Sequence, residues 1–166
     1  MYGVTRIGVL SDTHLTTVTQ EFKSIVSSLF RDVEIIIHAG DIVTREVYDY
    51  LSNWDVRAVR GNMDSSELAA LLPHKRVEVV KGRRIGIIHG KGPPYGIEQL
   101  VLSEFTDVDV IVFGHSHAAT CSKRGSIFLF NPGAMRNPAS GTPSVGILEI
   151  GKEIKFEHRF LSVTSL

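Results

Sequence analysis

Five short polar clusters, each placed directly after an apolar, strand-like run, constrain the fold of this chain most. Together they supply two carboxylates, one amide and four imidazoles. The clusters are Asp12-Thr13-His14, Gly40-Asp41, Gly61-Asn62, His89-Gly90 and Gly114-His115-Ser116-His117. Ligands of open α/β sheets bind beyond the carboxyl ends of the strands. Clusters at equivalent strand ends therefore predict an α/β fold with a metal-dependent active site at one edge.

The first half of the chain alternates predicted strands and helices, which indicates a parallel α/β arrangement. Strands are predicted at 7–10, 33–38 and 56–59 because of their buried, β-branched runs. Apolar residues at helical spacing predict a helix over 20–30, with Thr19 as its N-cap. Thr44 is predicted to cap a second, short helix that continues through Leu51. The segment Asp64-Ser65-Ser66-Glu67 resembles a capping box that opens a third helix.

The second half is predicted to contain more antiparallel pairing. Strand-like runs at 77–80 and 84–88 lie on either side of Gly82 and predict a hairpin with Gly82 in its turn. Runs at 144–150 and 153–160 predict a second antiparallel hairpin that closes the domain. A helix is predicted over 96–105, and strands over 108–113 and 127–130, followed by a turn at Asn131-Pro132-Gly133. With no repeat or linker, residues 1–166 are expected to form one mixed α/β domain.

Charge and composition restrict the classes of function. The formal net charge is zero, so there is no clear nucleic-acid surface. Cys121 is the single cysteine, which excludes an intrachain disulfide. The sequence has no signal-peptide segment and no apolar run long enough to span a membrane, so a cytoplasmic protein is expected.

The residue types of the clusters predict transition metals. Asp12 and His14 are two apart, so on an extended chain their side chains point the same way. Gly40, Gly61 and Gly114 permit unusual backbone angles that turn the next residue toward the site. Oxygen and imidazole ligands suit Mn, Fe, Co, Ni or Zn better than calcium. Two divalent ions balanced by two carboxylates and one hydroxide would leave a positive charge that attracts a phosphate.

Each cluster also has an ordinary structural interpretation. Asp12 and Asp41 alone would cap helices or turns, and Asn62 would form a turn. The histidine clusters alone would be loops or hydrogen-bonded strand ends. It is the presence of all five in order that favours a metal site. His38 is interpreted as core or as support behind the ligands, whereas His74 and His158 are predicted at the surface.

The order of the motifs resembles the calcineurin-like metallophosphoesterase superfamily. Its pattern is D-x-H, then G-D, then G-N-x-D or G-N-H, then a single H, and finally G-H-x-H, and every block occurs here between Asp12 and His117. The short length and Asn131-Pro132-Gly133-Ala134 are most similar to the compact prokaryotic phosphodiesterase subgroup.

This resemblance implies a two-sheet α/β/β/α sandwich with a dinuclear site, a small phosphodiester as substrate, and a dimer or tetramer of the chain. Two divalent ions are implied per chain, manganese first, with Ni, Co, Fe or Zn as alternatives. Water or hydroxide bridging the ions would attack phosphorus. The family pattern assigns Asp12, His14, Asp41 and His117 to one ion, and Asp41, Asn62, His89 and His115 to the other. Asp41 would therefore bridge them.

One departure from the family pattern concerns the leaving group. Many members carry a histidine after Gly-Asn that can protonate the leaving group, whereas this chain has Met63, which has no proton to give. Asp64 is then interpreted as a helix cap. Activated phosphodiesters such as aryl esters are expected to react better than alkyl monoesters.

Several rival functions remain open at this stage. A nuclease or protein phosphatase of the same superfamily is disfavoured by the neutral charge and the short chain. A non-catalytic scaffold, as in the retromer subunit that shares this fold, would be expected to have eroded ligands. A regulatory metal-binding module is the third alternative.

Overall fold

Residues 3–162 are described by the structure, a computed structural model of the chain. The described part folds into strands and helices that alternate regularly in the first half and less regularly in the second. In chain order they are β1 Thr5–Leu10, α1 Gln20–Leu29, β2 Ile35–His38, α2 Arg45–Leu51, β3 Asp55–Ala58, α3 Ser66–Leu71, β4 Lys75–Val80, β5 Arg83–Ile88, α4 Ile97–Ser103, β6 Val110–Val112, β7 Ala119–Arg124, β8 Ile127–Pro132, β9 Ser144–Ile150 and β10 Ile154–Phe160.

The strands form two mixed sheets of five. The first has the order β10-β9-β1-β2-β3, in which β1, β2 and β3 are parallel and β9 and β10 are antiparallel additions. The second has the order β4-β5-β6-β8-β7, with β5, β6 and β8 parallel between two antiparallel edge strands. The five polar clusters follow β1, β2 and β3 of the first sheet and β5 and β6 of the second.

Three apolar cores separate the layers. The sheets pack face to face through a central core that includes Ile37 from the first sheet and Val112 from the second. Helices α1, α2 and α3 cover the outer face of the first sheet, where Phe22 packs in one cluster with Ile36. Helix α4 covers the outer face of the second sheet through Val101. The α/β/β/α sandwich and the single domain are thereby confirmed.

The run Ile35-Ile36-Ile37 shows how the sequence produces these layers. Successive side chains of a strand point to opposite faces. Ile35 and Ile37 accordingly face the central core, and Ile36 faces the helices. Full burial of an isoleucine contributes roughly 1.5–3 kcal/mol. A β-branched run covered on both faces is therefore stable only as an interior strand.

Two predictions in the second half were wrong. Strand β7 was missed, and it pairs along its whole length with β8. The turn placed at Asn131-Pro132 belongs to β8 instead, where Asn131 pairs with Thr120 and Pro132 with Ala119. Proline is tolerated there because the chain leaves the sheet at the next residue, Gly133, which has a φ of 83°.

The N-caps of the helices agree only partly with prediction. Thr19 caps α1 by accepting a hydrogen bond from the amide of Phe22. Thr44 precedes α2, but within residues 3–162 its hydroxyl makes no capping bond. Ser65, not Asp64, is the N-cap of α3 and accepts from the amide of Leu68. Asp64 has a different role, described below.

The prediction that His158 lies at the surface is wrong, because the residue is half-buried. Its Nε2 donates a 2.7 Å hydrogen bond to the carbonyl of Asn131, and its ring stacks on Phe130 with centroids 4.7 Å apart. His158 lies on β10 of the first sheet and both partners lie on β8 of the second. This histidine therefore ties the two sheets together.

The helices of residues 3–162 are all too short or too polar to cross a bilayer.

Candidate metal centre

The five strand-end clusters converge on one small space between the carboxyl ends of the two sheets. Asp12, Asp41 and Asn62 approach it from the first sheet, and His89 and His117 approach from the second. His14 and His115 complete the group. Asp12, Asp41 and His89 are at most 2% exposed. The structure therefore brings together all seven side chains singled out in the sequence, although their role as ligands stays a prediction.

One half of this space is formed around Asp12. Its Oδ1 lies 3.2 Å from His117 Nε2 and 3.7 Å from His14 Nε2. His14 Nε2 is also 3.5 Å from Asp41 Oδ2. Among residues 3–162, Asp12 Oδ1 and His14 Nε2 are buried atoms without a hydrogen bond. Buried polar atoms left without partners are strongly disfavoured unless an ion or water satisfies them.

The other half is formed around His89. Its Nε2 lies 3.4 Å from Asp41 Oδ2 and 3.1 Å from Asn62 Oδ1. His115 Nδ1 is 3.1 Å from the same amide oxygen and 3.4 Å from His89 Nε2. Asp41 Oδ2 is thus about equally far from His14 in one half and from His89 in the other.

The tautomers of three histidines are fixed by backbone carbonyls, which only accept hydrogen bonds. His89 Nδ1 donates to Ala39 O at 2.7 Å, His115 Nε2 to Gly92 O at 2.8 Å, and His117 Nδ1 to Asn137 O at 2.8 Å. A neutral imidazole with one nitrogen donating has a lone pair on the other. In the neutral form of each ring, the nitrogen that faces the centre is therefore an acceptor, as in histidines that bind metals.

The residues of the centre consequently suit positively charged occupants, either protons or metal ions. Asn62 Oδ1, His89 Nε2 and His115 Nδ1 lie within 3.4 Å of one another, and none of them brings a proton in the neutral state. Two groups, Asp12-His14-His117 and Asp12-Asp41-His89, have ligand atoms close enough to share an ion. The residues fit divalent metals of the transition series, whose preferred ligands are imidazole and carboxylate.

The pKa shifts describe what happens to this cluster in the metal-free protein. Burial raises the pKa of Asp12, but the nearby imidazoles of His117 and His14 outweigh burial and hold it well below its usual range. The pKa of Asp41 is also lowered: burial raises it, and the bond with His89 reverses that effect. The Asp12 carboxylate raises the pKa of His117 to about 9. Protons therefore occupy the positions that metal ions would take.

Most of the candidate ligands have a left-handed backbone. Positive φ values occur at Asp12 (52°), His14 (47°), Asp41 (59°), His115 (67°) and His117 (57°). Residues other than glycine adopt this region rarely, and such residues cluster at functional sites. The prediction that an extended chain aligns Asp12 with His14 was therefore wrong about the backbone, although both side chains face the centre.

The three glycines that precede a candidate ligand are required for different reasons. Gly40 has a φ of 95°, as predicted. Gly61 and Gly114 do not have positive φ, and close approach explains them instead. A Cβ on Gly61 would collide with Asp41, and a Cβ on Gly114 would collide with Ser11 and Asp12. These two glycines let the carboxylates approach the neighbouring backbone.

Asp64 is the most important support that the sequence analysis missed. Its Oδ1 accepts from the amide of Val43 at 2.7 Å, and its Oδ2 accepts from Gly61 at 2.7 Å and Asp41 at 3.3 Å. The carboxylate therefore joins the loops after β2 and β3. The available signal was its position three residues after a turn glycine, where aspartate often bonds to local backbone.

His38 lies behind the centre, which agrees with the prediction that it is a core residue or a support for the ligands. It is fully buried, and burial lowers its pKa to about 3. Its Nδ1 accepts from Gly40 N, which leaves Nε2 to donate to the hydroxyl of Thr13 at 3.3 Å. That hydroxyl donates to Asp41 O. The network fixes the first two loops relative to each other.

Three other residues lie around the centre. Met63 is 56% exposed, and its amide donates to Asp41 Oδ1 at 2.7 Å, so its side chain is free to meet a substrate. Arg136 is exposed and donates to the carbonyl of His14. His74 is exposed, as predicted, although it lines a small cavity next to Asn62 and His89.

Comparisons with known proteins agree with this geometry. A family model of the calcineurin-like phosphoesterase superfamily domain matches residues 5–153. A protein of Methanothermobacter thermautotrophicus named probable metallophosphoesterase is 35% identical over 150 residues, which cover 89% of this chain and 87% of that protein. The phosphodiesterase YfcE of Escherichia coli is 39% identical over 101 residues, covering 57% of this chain and 52% of YfcE.

A solved structure extends the likeness of the fold. Vps29 of Chaetomium thermophilum superposes with a TM-score of 0.75 at 23% identity, over 95% of each chain. At this identity the similarity shows a shared fold only.

Proposed function

The chain belongs to the calcineurin-like phosphoesterase superfamily, and we propose that it is a metal-dependent phosphodiesterase with two divalent ions, manganese first. The observation that carries this proposal is the convergence of seven potential ligand side chains on one small space, where Asp12 Oδ1 and His14 Nε2 are buried without a hydrogen bond. A cytoplasmic location and a dimeric or tetrameric assembly are parts of the same proposal.

The distances support one set of ligands for each ion. Asp12, His14, Asp41 and His117 would hold the first ion, and Asp41, Asn62, His89 and His115 the second. Asp41 Oδ2 lies 3.5 Å from His14 Nε2 and 3.4 Å from His89 Nε2, which suits a bridging carboxylate. Asp12 Oδ1 is closer to His117 than to His89, which suits a ligand of the first ion alone.

The chain's own residues set the chemistry. When bound, divalent ions supply positive charge for phosphoryl oxygens and can lower the pKa of a water ligand to about 7. Backbone carbonyls orient His89, His115 and His117, and Asp64 fixes the loop of Asp41. Supports of this kind keep the ligands in a preorganised geometry.

The leaving group receives no proton from the position where many relatives have a histidine. Met63 occupies it with an exposed thioether that cannot donate. Asp64 is already bonded to three backbone amides. Esters whose leaving group departs without a proton, such as aryl phosphodiesters, are therefore the preferred substrates.

A second candidate is a non-catalytic interaction protein, which the likeness to the Vps29 fold favours. Such a protein has no need for seven convergent ligand groups. The complete set in this chain therefore supports the enzyme.

Hydrolysis of bis(p-nitrophenyl) phosphate and of an alkyl phosphomonoester, with manganese and then with chelator, tests the proposal. The parent should hydrolyse the diester faster, and chelator should abolish the activity. Asp41→Asn should lose at least about 10²-fold, because the variant removes charge shared by both ions. Asp107→Asn is the matched control, because Asp107 is exposed and has a similar φ of 56°.

Two results would contradict the enzyme. A parent protein that binds metal but hydrolyses no ester with Mn, Fe, Co, Ni or Zn would support the interaction protein. A strong preference for the alkyl monoester would overturn the assignment as a diesterase and the role given to Met63.

A further inference from the structure

A small cationic recess lies beside the half of the centre formed by Asn62 and His89. These two residues form one wall, and Arg60, His74 and Lys91 supply its positive or titratable groups. We define these last three residues as the cationic recess. None of these three residues is among the seven candidate ligands, but Asn62 and His89 form a wall between the recess and the centre.

The backbone holds the recess in position. The amide of Arg60 donates to Pro73 O at 3.0 Å, so Arg60 and His74 are held side by side. One guanidinium nitrogen of Arg60 donates to Ala69 O at 2.6 Å. An arginine has five N–H donors. The other donors of Arg60 can therefore reach a ligand while this bond keeps the side chain in place.

Lys91 is fixed relative to the centre through its neighbours. It follows His89 by two residues and lies between Gly90 and Gly92, which have φ values of 99° and 77°. The carbonyl of Gly92 accepts the bond from His115 Nε2. The lysine is exposed, but its backbone is tied to a candidate ligand.

The recess is positive because Arg60 and Lys91 line it, and among residues 3–162 no aspartate or glutamate forms part of its walls. Three carboxylates lie near the recess, and each already has a partner. Asp64 accepts from the amide of Gly61, Asp41 accepts from the amide of Met63, and Lys75 lowers the pKa of Glu104 most, with Lys91 and His74 adding to that effect. The Glu104 carboxylate is already bonded to Lys75 at 3.0 Å. An arginine and a lysine with no acidic residue among the lining groups form a suitable site for an anion.

We propose that the cationic recess binds a second phosphate group carried on one ester arm of the substrate. Its volume of about 170 Å³ would hold about five waters at roughly 30 Å³ each, enough for a phosphate of five heavy atoms. The shared wall places that group next to the centre, so one molecule can occupy both. This inference rests on the proposed function and narrows its substrate class to phosphodiesters with a terminal phosphate.

Calorimetric titration of the zinc-loaded protein tests the recess without relying on hydrolysis. The ligands are ethyl phosphate, ethane-1,2-diyl bisphosphate and 2-carboxyethyl phosphate, which differ only in the group at the far end. The parent should bind the bisphosphate about tenfold more tightly than ethyl phosphate, with the carboxylate between them. Lys91→Gln and Arg60→Gln should each reduce this preference to about threefold or less.

Lys81→Gln is the matched control, since Lys81 is exposed in the turn at the opposite end of β5 from His89. It should keep the full preference. Thermal melting of each variant identifies any loss of folding from the Arg60 bond to Ala69, and Lys91→Gln, an exposed residue, remains informative in that case.

Three results would overturn the inference. The first is that the parent binds the bisphosphate and ethyl phosphate with equal affinity, and the second is that Lys91→Gln keeps the full preference for the bisphosphate. The third is that the parent binds 2-carboxyethyl phosphate as tightly as the bisphosphate. The proposed function fails separately. If the bisphosphate preference is present but no diester is hydrolysed, the recess stands and the enzyme does not.

Discussion

Replacement of Asp64 by alanine should destabilise the metal-free protein by about 3 kcal/mol. The carboxylate accepts two short bonds, from Val43 and Gly61, and a longer one from Asp41. A hydrogen bond to a charged group contributes roughly 1.5–3 kcal/mol. We count only the two short bonds, and at the lower end of that range, because the side chain is half-buried and water can replace part of each bond.

The alternative interpretation of Asp64 as a helix cap predicts a smaller loss. Removing an N-cap costs about 1 kcal/mol. Ser65→Ala provides an internal reference, because Ser65 is the actual N-cap of α3. The two variants alter neighbouring residues but remove different bonds, so their difference isolates the joining of the loops.

Urea unfolding of the metal-free parent and both variants, followed by circular dichroism, measures these values. Metal must be absent, since a bound ion would break the two-state assumption. The melting temperature of Asp64→Ala should fall by roughly 6–12 °C. Its manganese affinity should fall about tenfold or more, because Asp64 bonds the backbone of Asp41. A loss in Asp64→Ala no larger than in Ser65→Ala would refute the loop-joining role.

Three further outcomes follow from the centre. Gly114→Ala should abolish manganese binding in calorimetry, because its Cβ would displace Asp12, whereas Gly3→Ala, with nothing within 4 Å, should bind normally. Met63→His should raise the rate on alkyl esters relative to aryl esters by about tenfold, below the roughly 10²–10⁴ of a well-positioned acid. An unchanged ratio would show that this position does not face the leaving group. The Asp12 carboxylate raises the pKa of His117 from its ordinary value of 6.5 to about 9, so their ion pair stabilises the metal-free fold fully below pH 6.5, and that stability is lost as pH rises through about 9. Urea midpoints from pH 6 to 10 should show this decline, and His117→Asn should remove it.

The sequence predicted the location of the centre because its signals are local. An apolar run followed by a polar cluster identifies a strand and its carboxyl end in adjacent residues, as in Ile35-Ile36-Ile37 before Asp41. Strand β1, strand β2 and helix α1 were accordingly placed to within about two residues. The division of the clusters between two sheets came only from the family resemblance, because pairing between distant strands leaves no local pattern.

Strand β7 escaped prediction for a physical reason. It is an edge strand, and Ala119, Cys121 and Lys123 alternate with other half-exposed or exposed residues. Neither face has the apolar repeat that reveals a half-buried strand. Its pairing with β8 holds it in the sheet.

The contacts that join the loops of the centre and tie the two sheets together also left no pattern in the sequence. Asp64 and His158 each act on residues more than twenty positions away, through backbone groups that every residue has. The seven side chains could be named from their types, whereas the groups that orient them depend on how the loops meet.

The left-handed backbone of the candidate ligands has a consequence for how such a domain changes over evolutionary time. Left-handed conformation costs residues with a side chain roughly 1 kcal/mol or more each. Over five ligands the total is about 5 kcal/mol, comparable with the lower end of the stability of a small domain. Substituting glycine at these positions would relieve that strain without touching the three cores. Without selection for the proposed activity, changes that increase stability would replace these candidate ligands first and leave the sandwich intact.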